Sequence, residues 1–128
     1  MPTIKQSVTI KASPKEVYEA LLDSKKHSLI TGDTAKMSRT VGGSWSAFGG
    51  YATGKNLELV PNKKIVQTWR ASDWPAGHES TATFSLAKTK DGTKIVFTHV
   101  HVPANQIRSI AGGWQEYYWE PLKRFFSE

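Results

Sequence analysis

Between Val41 and Arg70 the chain is written in short strands and tight turns: Val-Gly-Gly-Ser-Trp (41–45), Phe-Gly-Gly (48–50), Gly54, then Leu-Glu-Leu-Val-Pro-Asn-Lys-Lys-Ile-Val-Gln-Thr-Trp-Arg (57–70). Glycine pairs and Pro61-Asn62 form turns, and the runs between them alternate as half-buried strands do. Such a segment calls for an antiparallel sheet. The flanking sequence extends it: strands read at 3–12, 36–40, 44–48, 52–60, 63–70, 79–88 and 93–101, with Asp91-Gly92 as the hairpin turn between the last two.

Helices frame these strands. Ser13-Pro14-Lys15-Glu16 has the form of a capping box with Pro at the first helical position, so a helix is expected to about Asp23, with Val17, Tyr18 and Leu21 as its apolar face. A second short helix reads from Ser24 to Ile30, ended by the Thr-Gly-Asp-Thr stretch 31–34. After Pro103 a helical pattern returns, strongest from Trp114 to Phe126, where Trp114, Tyr118, Leu122 and Phe125 share a face. Pro121 lacks the N–H that would reach Tyr117, which predicts a kink or local widening there. The expected fold is α+β: a curved antiparallel sheet of six to seven strands, two short helices after the first strand, and a long C-terminal helix covering the sheet.

A length of 128 residues suits one domain, 1–128, with one core. There is no cysteine, hence no disulfide framework and no thiolate chemistry. The N-terminal residues alternate like a strand rather than forming a signal peptide, and no run approaches the roughly 20 apolar residues of a membrane span. A cytoplasmic protein is expected. The net charge of +6 comes from lysines spread as short pairs, without an arginine cluster or a nucleic-acid-binding motif. This favours attraction to an acidic protein partner over nucleic acid.

The period of two assigns inward faces: Ile65, Gln67 and Trp69; Ala82, Phe84 and Leu86; Ile95, Phe97 and His99; with Trp45, Leu57 and Leu59 joining them. Two readings stay open. In one these residues fill a core; in the other Trp45, Trp69, Phe84, Phe97, Trp114 and Tyr118 line a cavity for a small hydrophobic ligand, with Gln67 and His99 as its polar groups.

Catalytic motifs are missing: no nucleophile elbow, no phosphate-cradling loop and no dinucleotide fingerprint, and nothing points to a cofactor. His99 and His101 sit at i and i+2 on one strand, and His78 adjoins Glu79, but no third ligand completes a metal site. The chain reads as a non-enzyme. His99, facing the interior, is the one weak candidate for a general acid or base.

The loop Arg70-Ala-Ser-Asp-Trp-Pro-Ala-Gly-His-Glu-Ser (70–80), taken with Phe-Gly-Gly (48–50) and Gly-Trp-Gln-Glu-Tyr-Tyr-Trp-Glu-Pro-Leu (113–122), resembles the START-like superfamily. Within it, the chain resembles the C-terminal domain of the activator of the 90 kDa heat-shock chaperone's ATPase. The resemblance spans nearly the whole chain and implies a helix-grip fold and the chaperone as partner. It places function on exposed lysines such as Lys63 and Lys64 and on the 70–79 loop with Arg70, Asp73, Trp74 and His78. The activator's larger N-terminal domain has no counterpart in these residues. Leu29-Ile30 stands where many START-like relatives carry a Trp-Phe pair.

Overall fold

The computed structural model describes residues 3–75 and 77–126. Six strands run β1 (Thr3–Ile10), β2 (Ser44–Ala47), β3 (Ala52–Val60), β4 (Lys64–Ala71), β5 (Ser80–Thr89) and β6 (Gly92–Val100). They form one antiparallel sheet in the order β1-β6-β5-β4-β3-β2. Between β1 and β2 lie helices α1 (Pro14–Leu22) and α2 (Ser24–Thr31). The chain closes with α3 (Ile107–Trp114), a π-helical stretch (Gln115–Trp119) and α4 (Glu120–Phe125), which join one another without a break. No helix among the described residues is long and apolar enough to cross a membrane.

The ends of α1 form as the sequence dictates. The Ser13 hydroxyl accepts from Glu16 N–H (3.2 Å) while the Glu16 carboxylate accepts from Ser13 N–H (3.0 Å), so two otherwise orphaned donors are satisfied reciprocally. Those bonds hold the Glu16 carboxyl below its usual pKa. Asp23 ends α1 and caps α2, its carboxylate accepting from Lys26 N–H at 2.9 Å.

No strand forms at 36–40. Only a bridge from Lys36 to Ser46 appears there. The buried Asn56 explains the difference: its amide donates to the carbonyls of Ser38 (2.8 Å) and Thr40 (3.1 Å), and its backbone pairs with Gly42 and Gly43. A side chain thus takes the carbonyls that a seventh strand would have offered to a neighbour.

Across the sheet the register builds two inward rows. Ile4, His99, Ala82, Gln67 and Asn56 lie side by side, as do Gln6, Phe97, Phe84, Ile65 and Leu59. A bulge in β3 between Asn56 and Glu58 breaks the alternation expected there: Leu57 turns outward and is 50% exposed, whereas Leu59 packs against the core. Trp45 reaches the interior beside Gly54, where an added Cβ would strike the Thr68 carbonyl oxygen and lie 2.8 Å from the Trp45 indole nitrogen.

The C-terminal helix lies over these rows through Ile110, Trp114, Tyr118, Trp119 and Leu122, all buried. Gln6 fastens it from the first strand, donating to Ala111 C=O (3.0 Å) and accepting from the Trp119 indole (2.6 Å). The widening expected near Pro121 is the π stretch. Its extra residue per turn shifts the phase of the helix, which brings Trp119 into the core and leaves Phe125 41% exposed, contrary to the face predicted for Phe125.

Candidate functional site

Most of the aromatic residues expected to line a cavity are packed together. Phe97 and Trp114 centroids are 4.3 Å apart, Phe84 and Phe97 5.0 Å, and Trp114 stacks near Trp119 at 5.7 Å. Trp45, Gln67 and Phe84 border a void of about 10 Å³, no more than the least space that holds one water. The Gln67 amide donates to the Asn56 side-chain oxygen at 3.2 Å.

His99 is fully consumed by its neighbours. The Trp114 indole donates to Nδ1 (3.1 Å), and Nε2 lies 2.6 Å from the Ser80 hydroxyl, which bonds the Trp69 carbonyl at 2.8 Å. One proton arrangement satisfies the whole chain: Nε2–H donates to Ser80, and the Ser80 O–H donates to Trp69 C=O. Burial pushes the His99 pKa down to about 3. His99 is fully buried, lies outside the cleft described below and has both nitrogens committed to Trp114 and Ser80, which accounts for it as a residue that ties the helix to the sheet. His99 and His101 do not share a face either, because His101 lies beyond the strand with φ 65° and is exposed.

A second histidine, which no sequence pattern singles out, is built the same way. His27 on α2 is buried, with Nδ1 3.0 Å from Leu21 C=O and Nε2 2.9 Å from the Tyr118 hydroxyl. The carbonyl requires Nδ1–H, so the Tyr118 O–H donates to Nε2. Burial lowers the His27 pKa, against a smaller opposing effect of the Leu21 bond, and burial raises that of Tyr118.

Open space lies at one end of the helix, as a cleft of about 420 Å³. The C-terminal helix contributes two adjacent stripes at a spacing of four: Ser109, Gly113 and Tyr117, then Ile110, Trp114 and Tyr118. Opposite stand Phe48 and Tyr51 from the turn after β2, Trp69 from β4 and Asp33 from the loop after α2. Of the expected cavity residues, Trp69, Trp114 and Tyr118 border this cleft; Trp45, Gln67, Phe84, Phe97 and His99 lie outside it. Phe48 has φ 55° and Gly49 φ 65°, a left-handed pair that costs energy at Phe48 and sets its ring 5.6 Å from Tyr118 and 5.8 Å from Tyr117. At the rim the Tyr51 pKa is raised by burial and, less, by the Asp73 carboxylate beside it. Spacing would have found the helix stripes; Phe48, Tyr51 and Asp33 read in sequence only as turn residues.

The residues proposed for a partner surface fall into two places. Lys63 and Lys64 stand at the start of β4, and the 70–78 loop begins at its other end, roughly 25 Å away for an eight-residue strand. Within the loop, Trp74 is 4% exposed and packs 5.3 Å from Trp69. Arg70 is a staple, donating to the carbonyls of Ala71 (3.2 Å), Trp74 (2.6 Å) and Pro75 (3.2 Å). His78 lies 2.9 Å from His101 C=O, and Asp73 is exposed. Lysines scattered in sequence gather instead at the other end of the sheet. Lys11 comes directly after β1, Lys63 and Lys64 turn into β4, and Lys88, Lys90 and Lys94 surround the β5–β6 hairpin. Glu58 and Asp91 are acidic residues interspersed there, with Lys64 3.7 Å from Glu58.

A sheet with two helices after its first strand and a long closing helix laid on one face is the helix-grip arrangement of START-like proteins. The sequence profile of the family described as "Activator of Hsp90 ATPase homolog 1-like protein" matches residues 11–127, and the chain belongs to that family. The human activator of 90 kDa heat shock protein ATPase homolog 1 is 30% identical over 98% of this chain and 38% of its own length. An uncharacterized protein of Schizosaccharomyces pombe is 33% identical over 96% of this chain and 37% of its own. The chain thus spans less than two fifths of these relatives. Among solved structures, an HSP90 activator from Plasmodium falciparum superposes with a TM-score of 0.90 at 24% identity, covering 96% of this chain and 94% of that one. The solution structure of an Aha1 dimer from Colwellia psychrerythraea gives 0.84 at 22% identity, covering 98% and 96%. At these identities the structural likeness defines the fold.

Proposed function

We propose that this chain is a non-enzymatic binding module that docks on the 90 kDa heat-shock chaperone and modulates its ATPase. Family membership supports the partner. The observation that carries the mode of docking is the basic end of the sheet, where Lys11, Lys63, Lys64, Lys88, Lys90 and Lys94 converge from four strands. Such a surface steers the module onto an acidic face of the chaperone and fixes its orientation. Binding by charge weakens as salt shortens the Debye length from about 30 Å at 0.01 M to about 8 Å at 0.15 M. Calorimetric titration of the chaperone's nucleotide-binding domain at these two ionic strengths tests the reading. Binding that is tighter at low salt, and lost on combining Lys63→Glu with Lys88→Glu, agrees with it; no heat at either ionic strength contradicts it.

A second reading is favoured by the aromatic cleft, whose volume of about 420 Å³ falls in the range of small-molecule sites. In that reading the cleft holds a small apolar ligand, at the opposite end of the sheet from the lysines. The two surfaces are separate and compatible in one molecule.

A further inference from the structure

The charge around the cleft is opposite to that of the chain. Six aromatic rings border it: Phe48, Tyr51, Trp69, Trp114, Tyr117 and Tyr118. Among the described residues the one carboxylate in its wall is Asp33, and neither lysine nor arginine lines it, although the chain carries a net charge of +6. Asp73 adds a second carboxylate beside the Tyr51 hydroxyl at the rim.

Resting on the cleft as a ligand site, we propose that it selects small organic cations, an ammonium group carried on an apolar or aromatic body. Aromatic rings present negative π faces, and an ammonium is attracted to them as well as to a carboxylate. An anionic ligand of the same shape meets Asp33 with no basic residue in the described wall to offset it. The carboxylate is oriented before any ligand arrives, because Oδ1 accepts from Thr34 N–H at 2.7 Å. Access is also built in. Gly113 faces the cleft, and a Cβ there would meet nothing nearer than Tyr117 Cδ2 at 3.8 Å.

Three probes that share one naphthylmethyl body and differ in the charge of a small head group separate the possibilities: 2-naphthylmethylammonium, 2-naphthylmethanol and 2-naphthylacetate. Each is titrated into the ¹⁵N-labelled chain, with Gly113 and Tyr117 amide shifts reporting the cleft. The ammonium is expected to bind about tenfold more tightly than the alcohol, and the acetate most weakly. Asp33→Asn, which keeps an oxygen for Thr34 N–H, should bring the ammonium down to the level of the alcohol and leave the alcohol unchanged. Gly113→Leu, which fills the cleft, should weaken all three. Equal affinity for the three probes, or a cation preference that survives Asp33→Asn, overturns the proposal while leaving the cleft as a binding site. Absence of shifts at Gly113 and Tyr117 with every probe, or binding indifferent to Gly113→Leu, overturns the cleft reading itself.

Discussion

His99 is held in one tautomer by Trp114 and Ser80, at the junction of the C-terminal helix, β5 and β6. The chain of donors accounts for its burial without a role in catalysis: each polar atom is paired, which is the condition under which a buried imidazole is tolerated. It also sets a pH dependence. An unfolded histidine titrates near 6.5, whereas His99 in the fold titrates at about 3. Between those values the unfolded chain binds the proton and the folded chain does not. Stability is therefore fully present above the unfolded value and falls as pH drops toward 3, by up to about 1.4 kcal/mol per pH unit. His27, lowered in the same direction, adds to the slope. Urea unfolding at pH 7.5, 6.0 and 5.0 should show the decline in the wild type and a shallower one in His99→Gln; an unchanged slope in the variant would remove His99 as its source. Trp114 touches both His99 and the aromatic cluster, so Trp114→Ala should cost about 3–5 kcal/mol in the same assay. A loss of only a few tenths would mean that the helix does not depend on this anchor.

The elements differ in how far sequence alone announces them. The capping box at Ser13 and Glu16 is a purely local device, and it forms as written. Ser13→Ala should accordingly cost roughly 1 kcal/mol, read as a lowered melting temperature, with binding unaffected; a fall in binding at preserved stability would give α1 a direct part in docking. Strand alternation likewise places Ile65, Trp69, Phe84, Ile95 and Phe97 correctly in the interior. It fails where a side chain or an extra residue intervenes. Asn56 looks in sequence like any polar strand residue, yet its amide captures the carbonyls of Ser38 and Thr40, and the bulge next to it expels Leu57. Pro121 signals the widening of the final helix, but the π turn's effect on phase, Trp119 inward and Phe125 outward, depends on which residues absorb it. The cleft is the least legible part. Its helix stripes repeat at a regular interval, whereas Asp33, Phe48 and Tyr51 arrive from turns whose destinations are set only by the folded sheet.

At the scale of the whole molecule, strand register creates a polarity invisible in the linear order of charges. Lys11, Lys63, Lys64, Lys88, Lys90 and Lys94 collect at one end of the sheet, while Asp33 and Asp73 stand with the aromatic cleft at the other. If the basic end is the docking surface, the chaperone meets the first of these ends and leaves the second free. Amide-shift mapping of the ¹⁵N-labelled chain with the chaperone's unlabelled nucleotide-binding domain tests this most directly. Perturbations are expected at residues 11, 62–64 and 88–94, with Gly113 and Tyr117 unmoved. Shifts confined to Gly113, Tyr117 and their neighbours in the cleft, with the lysine-bearing turns unchanged, would contradict docking through the basic end.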